Sequence, residues 1–189
     1  MRAYLLEQNK FPYQRTVVFG LTGVGKTTMA RRIAEEFAMP VIDIDSLRRE
    51  AGKSAAPEET FSRLIVESVK ADNWIIDGSY TSVQDIIWSR ADAIVWLDFP
   101  FWVFCSRLIK RSLYRTFIRK NSEKPIKGRN QPARERALTY LQAIFTGHIR
   151  RQRYFATLYS SKNVHLHIIR LFSPKDAALW LDLLKNHHE

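Results

Sequence analysis

The chain has almost no cysteine. Cys105 is the only one in 189 residues, which excludes an intrachain disulfide framework and favours a reducing compartment. It stands among Phe101, Trp102, Val103 and Phe104, where a small buried hydrophobe is expected rather than a reactive thiol. Long apolar runs are missing too. The most apolar stretch, "AIVWLDFPFWVFC", is broken by Asp98 and Pro100 and is shorter than the roughly 18 apolar residues a membrane span needs. The start, "MRAYLLEQNKFPYQR", lacks the apolar core and small-residue cleavage site of a signal peptide. No internal repeat, low-complexity tract or linker marks a second domain. These absences point to a single cytoplasmic domain over 1–189, with no membrane partner.

Acid is scarce in one place. Between Arg107 and Arg153 there are 14 Lys and Arg against 2 Glu, whereas the rest of the chain has 16 basic and 17 acidic side chains. The net charge of +11 therefore resides entirely in that segment. Such a field attracts phosphate, whether on a nucleotide, a nucleic acid or a lipid.

What is present is an alternation. "TVVF" (16–19), "VIDI" (41–44), "WIID" (74–77), "AIVWLD" (93–98) and "VHLHII" (164–169) read as strands, rich in β-branched or aromatic residues. Helical spacing of apolar side chains marks Lys26 to Ala38, Pro57 to Ala71 and Val83 to Arg90, then about Phe101 to Lys120 and about Pro132 to Tyr159. Pro174 opens a last helix at the position proline favours, ending near Asn186. Repeated strand–helix–strand order predicts a mainly parallel sheet covered on both faces. The segment "KNSEKPIKGRNQP" (120–132) is irregular and joins the two long helices.

The strongest signal is "GLTGVGKTT", residues 20–28. Gly20, Gly25, Lys26 and Thr27 satisfy G-x-x-x-x-G-K-[ST], with a strand before and a helix after. Glycines let successive backbone N–H groups converge on one concavity, and the helix N-terminus adds partial positive charge. The expected nucleotide contacts run through Gly20, Thr22, Gly23, Val24, Gly25, Lys26, Thr27 and Thr28. Lys26 can reach the β- and γ-phosphates of ATP, and the Thr27 hydroxyl can ligate Mg²⁺.

Acids stand at strand ends. Asp77 in "WIIDG" is the preferred residue for the metal shell, because Gly78 lets the chain pass close to bound phosphate. Asp98 in "WLDFP" is a candidate for the same role but reads better as a strand-end turn residue, and one of the two is expected to cap the following helix. Asp43 and Asp45 alternate across the end of the second strand. Asp45 is placed to accept a proton from a hydroxyl or to order magnesium-bound water, and Asp43 to cap or brace. Arg48 and Arg49 are candidates for holding an acceptor anion, one of them equally a surface charge. His165, His167, His187 and His188 have no partners at zinc-ligand spacing and read as structural or incidental. Phe99, Phe101, Trp102 and Phe104 are expected in the core, since they adjoin a buried strand.

In "RLIKRSLYRTFIRK" (107–120), Arg107, Arg111, Arg115 and Arg119 recur every fourth residue and form a slowly winding stripe on a helix. A solvated face, a nucleic-acid patch with nearby tyrosines, and a catalytic lid all fit this pattern. The phosphate loop upstream favours the lid for the first two arginines.

These motifs bring out a resemblance. "GLTGVGKTTMARRIAEEFAMPVIDID", "WIIDGSYTS", "RADAIVWLDFPFWVFCSRLIKR" and "HIIRLFSPKDAALWL" resemble P-loop kinases of the adenylate kinase type, and more narrowly the bacterial "DNA topology modulation protein" group of nucleotide kinases. The resemblance runs from about Thr16 to Leu184. It implies a three-layer α/β P-loop NTPase fold, with a mainly parallel five-stranded sheet in the order 2-3-1-4-5. It also implies an acceptor-binding segment over about 44–73 and a basic helical lid over about 107–153. Arg107 would lie on the adenine ring, Arg111 on the transferring phosphate, and the loop of Ser173, Pro174 and Lys175 beside the adenine. Asp77 and Gly78 match the family's "DG" motif. The acceptor region, with "LRREAGKSAAPEETF", departs from the Trp- and Pro-rich stretch of that group. The expected activity is transfer of the ATP γ-phosphoryl, with Mg²⁺, to a small acceptor such as a nucleoside monophosphate. Lys26, Arg111 and Asp45 would form the catalytic set. The alternative is a nucleic-acid-binding P-loop ATPase or regulator that uses the basic segment.

Overall fold

The structure is a computed structural model that describes residues 11–21, 23–78, 80–100, 102, 103, 106 and 152–186. Expectations for Thr22, Cys105, the arginine stripe from Arg107 to Arg119 and the irregular segment 120–132 lie outside the described residues, as do those for Phe101 and Phe104.

Five strands form one parallel sheet in the order β2-β3-β1-β4-β5. They are β1 (Arg15–Gly20), β2 (Val41–Asp43), β3 (Trp74–Asp77), β4 (Ala93–Leu97) and β5 (His167–Leu171). The helices between them are α1 (Lys26–Phe37), α2 (Ile44–Ala51), α3 (Pro57–Ser68) and α4 (Gln84–Trp88). The last helix is α5 (Pro174–Asn186). Residues 152–158 are also helical.

The three central strands are buried on both sides, because a parallel sheet carries helices on each face. Their side chains alternate with the period of two that a strand imposes. Val18, Ile75 and Val95 pack with Ala30 and Ile33 of α1 and Leu181 of α5. Val17, Phe19, Ile76, Ile94 and Trp96 face the other way, onto Phe61, Ile65 and Ile87. Each fully buried Ile or Phe contributes roughly 1.5–3 kcal/mol, so the centre of the sheet is a firm base for whatever its strand ends carry. At the amino end, Arg15 is fastened to Asp92 through its backbone N–H at 2.9 Å and its guanidinium at 2.5 Å.

Several boundaries differ from the sequence expectation. β2 stops at Asp43, because the Asp43 carboxylate accepts the backbone N–H of Ser46 at 3.0 Å and starts α2 there. Asp45 therefore lies in the first turn of a helix, not on a strand. The last strand is shifted toward the C-terminus. Ser160 opens a 3₁₀ turn at Ser161–Asn163, and His165 precedes β5, its Nε2 donating to the Trp88 carbonyl at 3.0 Å. Trp102 is 71% exposed, so it leaves the core that Phe99 joins. Pro174 does open α5, with the Ser173 hydroxyl accepting the Asp176 N–H at 3.1 Å.

Candidate active site

Parallel strands bring all their carboxyl ends to one edge, where open sheets of this kind receive ligands. β1 delivers Gly20 there, β2 Asp43 and β3 Asp77. The chain order reverses around β1, which sits between β3 and β4.

The loop from Gly20 to Lys26 is shaped by its glycines. Gly20 has φ 148°, and a Cβ on it would come within 2.8 Å of the Leu97 carbonyl oxygen. Gly25 has φ 105° and caps α1 without any side-chain hydrogen bond. The first turn of α1 carries no acidic residue, so its free N–H groups and the positive end of its dipole are left for an anion. Lys26, the first helical residue, folds back and donates from Nζ to the Leu21 carbonyl at 3.2 Å. Burial pulls its ammonium pKa down, while the charges of Asp77 and Asp45 push it back up.

Asp77 answers Lys26 from the neighbouring strand. Burial raises its carboxyl pKa, and a hydrogen bond from the Thr27 side chain and the Lys26 charge oppose that rise. Asp45 and Asp43 push it up further. Lys26, Thr27, Asp77 and Asp45 thus form one electrostatically coupled group, drawn from α1, β3 and α2.

The second acidic candidate has a different setting. Asp98 is buried at 4% exposure and accepts from Nε and Nη2 of Arg170 at 2.9 and 2.6 Å. That guanidinium lies over the rings of Trp96, Phe172 and Phe155, at 4.5, 4.8 and 5.4 Å from their centroids. Asp77 does not cap the element that follows it: it bonds Thr27, and the 3₁₀ turn Thr81–Val83 has no side-chain cap. The start of the segment after Asp98, which that residue was expected to cap, lies outside the described residues.

Beside α2 and α3, the Tyr80 hydroxyl donates to Oδ1 of Asp45. Burial is the largest cause that pushes the Tyr80 phenol up to about 12, followed by this hydrogen bond. Tyr80 meets Phe61 edge to face at 5.6 Å, and Phe61 carries the Arg48 guanidinium 4.8 Å above its ring. Arg48 is gripped at both ends of its fork by Glu58, one bond measuring 2.8 Å. Arg49 lies 3.8 Å from Asp43. Tyr80 and Glu58 were not legible as site residues, since their partners are 35 and 10 positions away and no spacing rule joins them.

No family model matches the chain, and no curated protein matches its sequence significantly. Solved structures do match in shape. The shikimate kinase of Bacteroides thetaiotaomicron superposes with a TM-score of 0.53 at 18% identity, covering 92% of this chain and 97% of that one. The shikimate kinase of Aquifex aeolicus gives 0.51 at 16%, covering 92% and 95%. The chain has a P-loop kinase fold. At such identities the likeness concerns the fold alone.

Among the described residues, no group of three or more His, Cys, Asp or Glu is disposed to hold a metal. The donor set still suits Mg²⁺, which takes only one or two protein oxygens beside phosphate and water. Thr27 and Asp77 could supply those oxygens, beside a loop whose first glycine, Gly20, has no room for a Cβ against the Leu97 carbonyl. No described helix is long and apolar enough to cross a membrane.

Proposed function

We propose that the chain is an ATP-dependent small-molecule kinase. The observation that carries this is the coupling of Lys26, Thr27 and Asp77 around an uncapped helix N-terminus at the carboxyl edge of the sheet. Phosphoryl transfer asks mainly for positioning and charge compensation, and this group offers both. Backbone N–H groups of Gly23 to Thr28 would cradle the phosphates, with Thr22 completing the loop. Lys26 would exchange its bond to the Leu21 carbonyl for phosphate oxygens. Mg²⁺, when bound, neutralises phosphate charge, and Thr27 with Asp77 would hold it. Asp45 would act on the acceptor, over a segment of about 44–73. Arg107 and Pro174 would flank the adenine, and Arg111 would reach the transferred phosphoryl group from a basic lid over about 107–153. Those arginine assignments rest on the sequence resemblance.

The same resemblance, to the DNA topology modulation group, suggests a nucleoside monophosphate as acceptor. The charge of 107–153 keeps a DNA-dependent ATPase as the second reading. ADP release from ATP and Mg²⁺, measured with small acceptors in one arm and duplex or single-stranded DNA in the other, separates them. Stimulation by a small acceptor, lost in Lys26→Ala, is the expected result. Stimulation by DNA alone would replace the kinase reading by the second one.

A further inference from the structure

The region beside α2 holds a carboxylate with one oxygen fixed and the other without a hydrogen-bond partner among the described residues. Tyr80 donates to Oδ1 of Asp45, and no described residue bonds its Oδ2. The tyrosine is itself fixed: its ring abuts Phe61, which is fully buried, and it stands three residues past the end of β3. Its phenol stays protonated to about 12, so at neutral pH it is a permanent donor to Asp45 and not a competing base. The charge of Asp45 is felt by both Lys26 and Asp77, which places it beside the phosphate site.

The sign of the charge at this place discriminates between acceptors. The negative charges of Asp43 and Asp45 both reach Asp77 and push its carboxyl pKa up. Arg48 is held by Glu58, and Arg49 lies near Asp43. A nucleoside monophosphate attacks through a phosphate oxygen that is already ionised near neutral pH, since its second pKa is about 6. That oxygen has no proton to give, and an ionised carboxylate can only accept hydrogen bonds. The two would meet as like charges. A hydroxyl behaves in the opposite way, donating its proton to the free carboxylate oxygen as it becomes a better nucleophile.

We propose that the acceptor is an alcohol: its attacking atom is a neutral hydroxyl oxygen that gives its proton to Oδ2 of Asp45, held in place by the Tyr80 hydroxyl on Oδ1. The proposal rests on the kinase reading above. In the step, the acceptor O–H bond breaks and its proton moves to Asp45. The oxygen's electron pair forms the new O–P bond, and the bond from the γ-phosphorus to the bridging oxygen breaks, its pair leaving with ADP. Asp45 is the catalytic base, and Tyr80 is a positioning residue.

The test measures ADP release by the full chain with ATP and Mg²⁺. One arm adds neutral polyols, hydroxy acids and nucleosides, a second adds nucleoside monophosphates, and a third adds nothing, so that water is the hydroxyl acceptor. Stimulation in the first arm and none in the second is expected. The isosteric Asp45→Asn should lower kcat by about 100-fold or more while the KM for ATP moves less than about threefold. Tyr80→Phe should lower kcat in the wild-type background and have no further effect in Asp45→Asn. If no compound of the first arm stimulates, the water reaction reads the same difference. Formation of a nucleoside diphosphate from a monophosphate overturns the proposal. So does an Asp45→Asn protein whose turnover, with alcohol or water, equals or exceeds wild type. Turnover that survives Lys26→Ala, or is absent from the wild type altogether, would instead remove the kinase reading itself.

Discussion

Asp77 ends β3 and Asp98 follows β4, so the two aspartates stand on opposite sides of β1 at one edge of the sheet. Both follow a buried apolar strand, and both were candidates for the same metal. Their surroundings separate them. Asp98 is almost fully buried and its charge is matched by Arg170, itself wedged among Trp96, Phe155 and Phe172. Asp77 is only partly buried, bonded by one hydroxyl, and faces a lysine whose amine is turned to a backbone carbonyl. A carboxylate with a dedicated guanidinium serves the fold. One that is desolvated with only partial compensation is poised to take up a cation.

That contrast can be broken by mutation. The largest effect is expected on the chemical side: Lys26→Ala should reduce ATP turnover to background, since a phosphate-loop lysine compensates the charge of the β- and γ-phosphates directly. Its circular dichroism and melting curve should stay close to wild type, because Lys26 belongs to neither apolar cluster.

Next comes stability. Asp98→Asn leaves the Arg170 guanidinium without its carboxylate, and removing one partner of a buried pair costs about 3–5 kcal/mol. Arg170 keeps 27% exposure, so about 3 kcal/mol is the expectation by urea unfolding, at the low end of that range. Asp77→Asn should not destabilise at neutral pH. The Asp77 pKa is raised in the fold, so its favourable contribution is complete below the unfolded value and is lost as pH rises through the folded one. The stability of Asp77→Asn relative to wild type should therefore grow over that window and then level off. Equal losses in the two variants would erase the distinction between the aspartates.

Magnesium sharpens the same comparison. Asp77→Asn should raise the Mg²⁺ concentration for half-maximal turnover well above that of Asp98→Asn, both measured at a temperature where each is folded. The reverse order would move the metal to Asp98.

The smallest effect is spectroscopic. Titrating tyrosinate absorbance should reveal one phenol, absent in Tyr80→Phe, that ionises at about 12 and titrates lower in Asp45→Asn. Since Tyr80 is raised from 10.0 to about 12, its contribution to stability is complete below 10 and is lost as pH climbs toward 12. Tyr80→Phe should lack that loss.

The phosphate loop was legible from sequence because its chemistry is local. Gly20, Gly25, Lys26 and Thr27 lie within one contiguous stretch, and a strand before it with a helix after it is enough to aim the backbone N–H groups inward. All five strands could likewise be located from apolar, β-branched runs. Their ends were less legible: "VIDI" looked like four strand residues until Asp43 capped α2, and "VHLHII" began three residues before β5 does. Apolar pattern marks where a strand is buried, but hydrogen bonds decide where it stops.

The partners of the charged side chains belong to the tertiary structure. Asp98 finds Arg170 across 72 positions and Asp45 finds Tyr80 across 35. These meetings depend on parallel register, β4 against β5 and β2 against β3, which no run of neighbouring residues encodes. Sequence by itself determined the glycine-rich loop between β1 and α1, since it is built from consecutive residues. Only the folded sheet decided which aspartate was matched by an arginine and which came to lie beside Lys26 and Thr27. Charge compensation falls off within a few ångströms, and at that range the neighbours are chosen by strand order rather than by position in the chain.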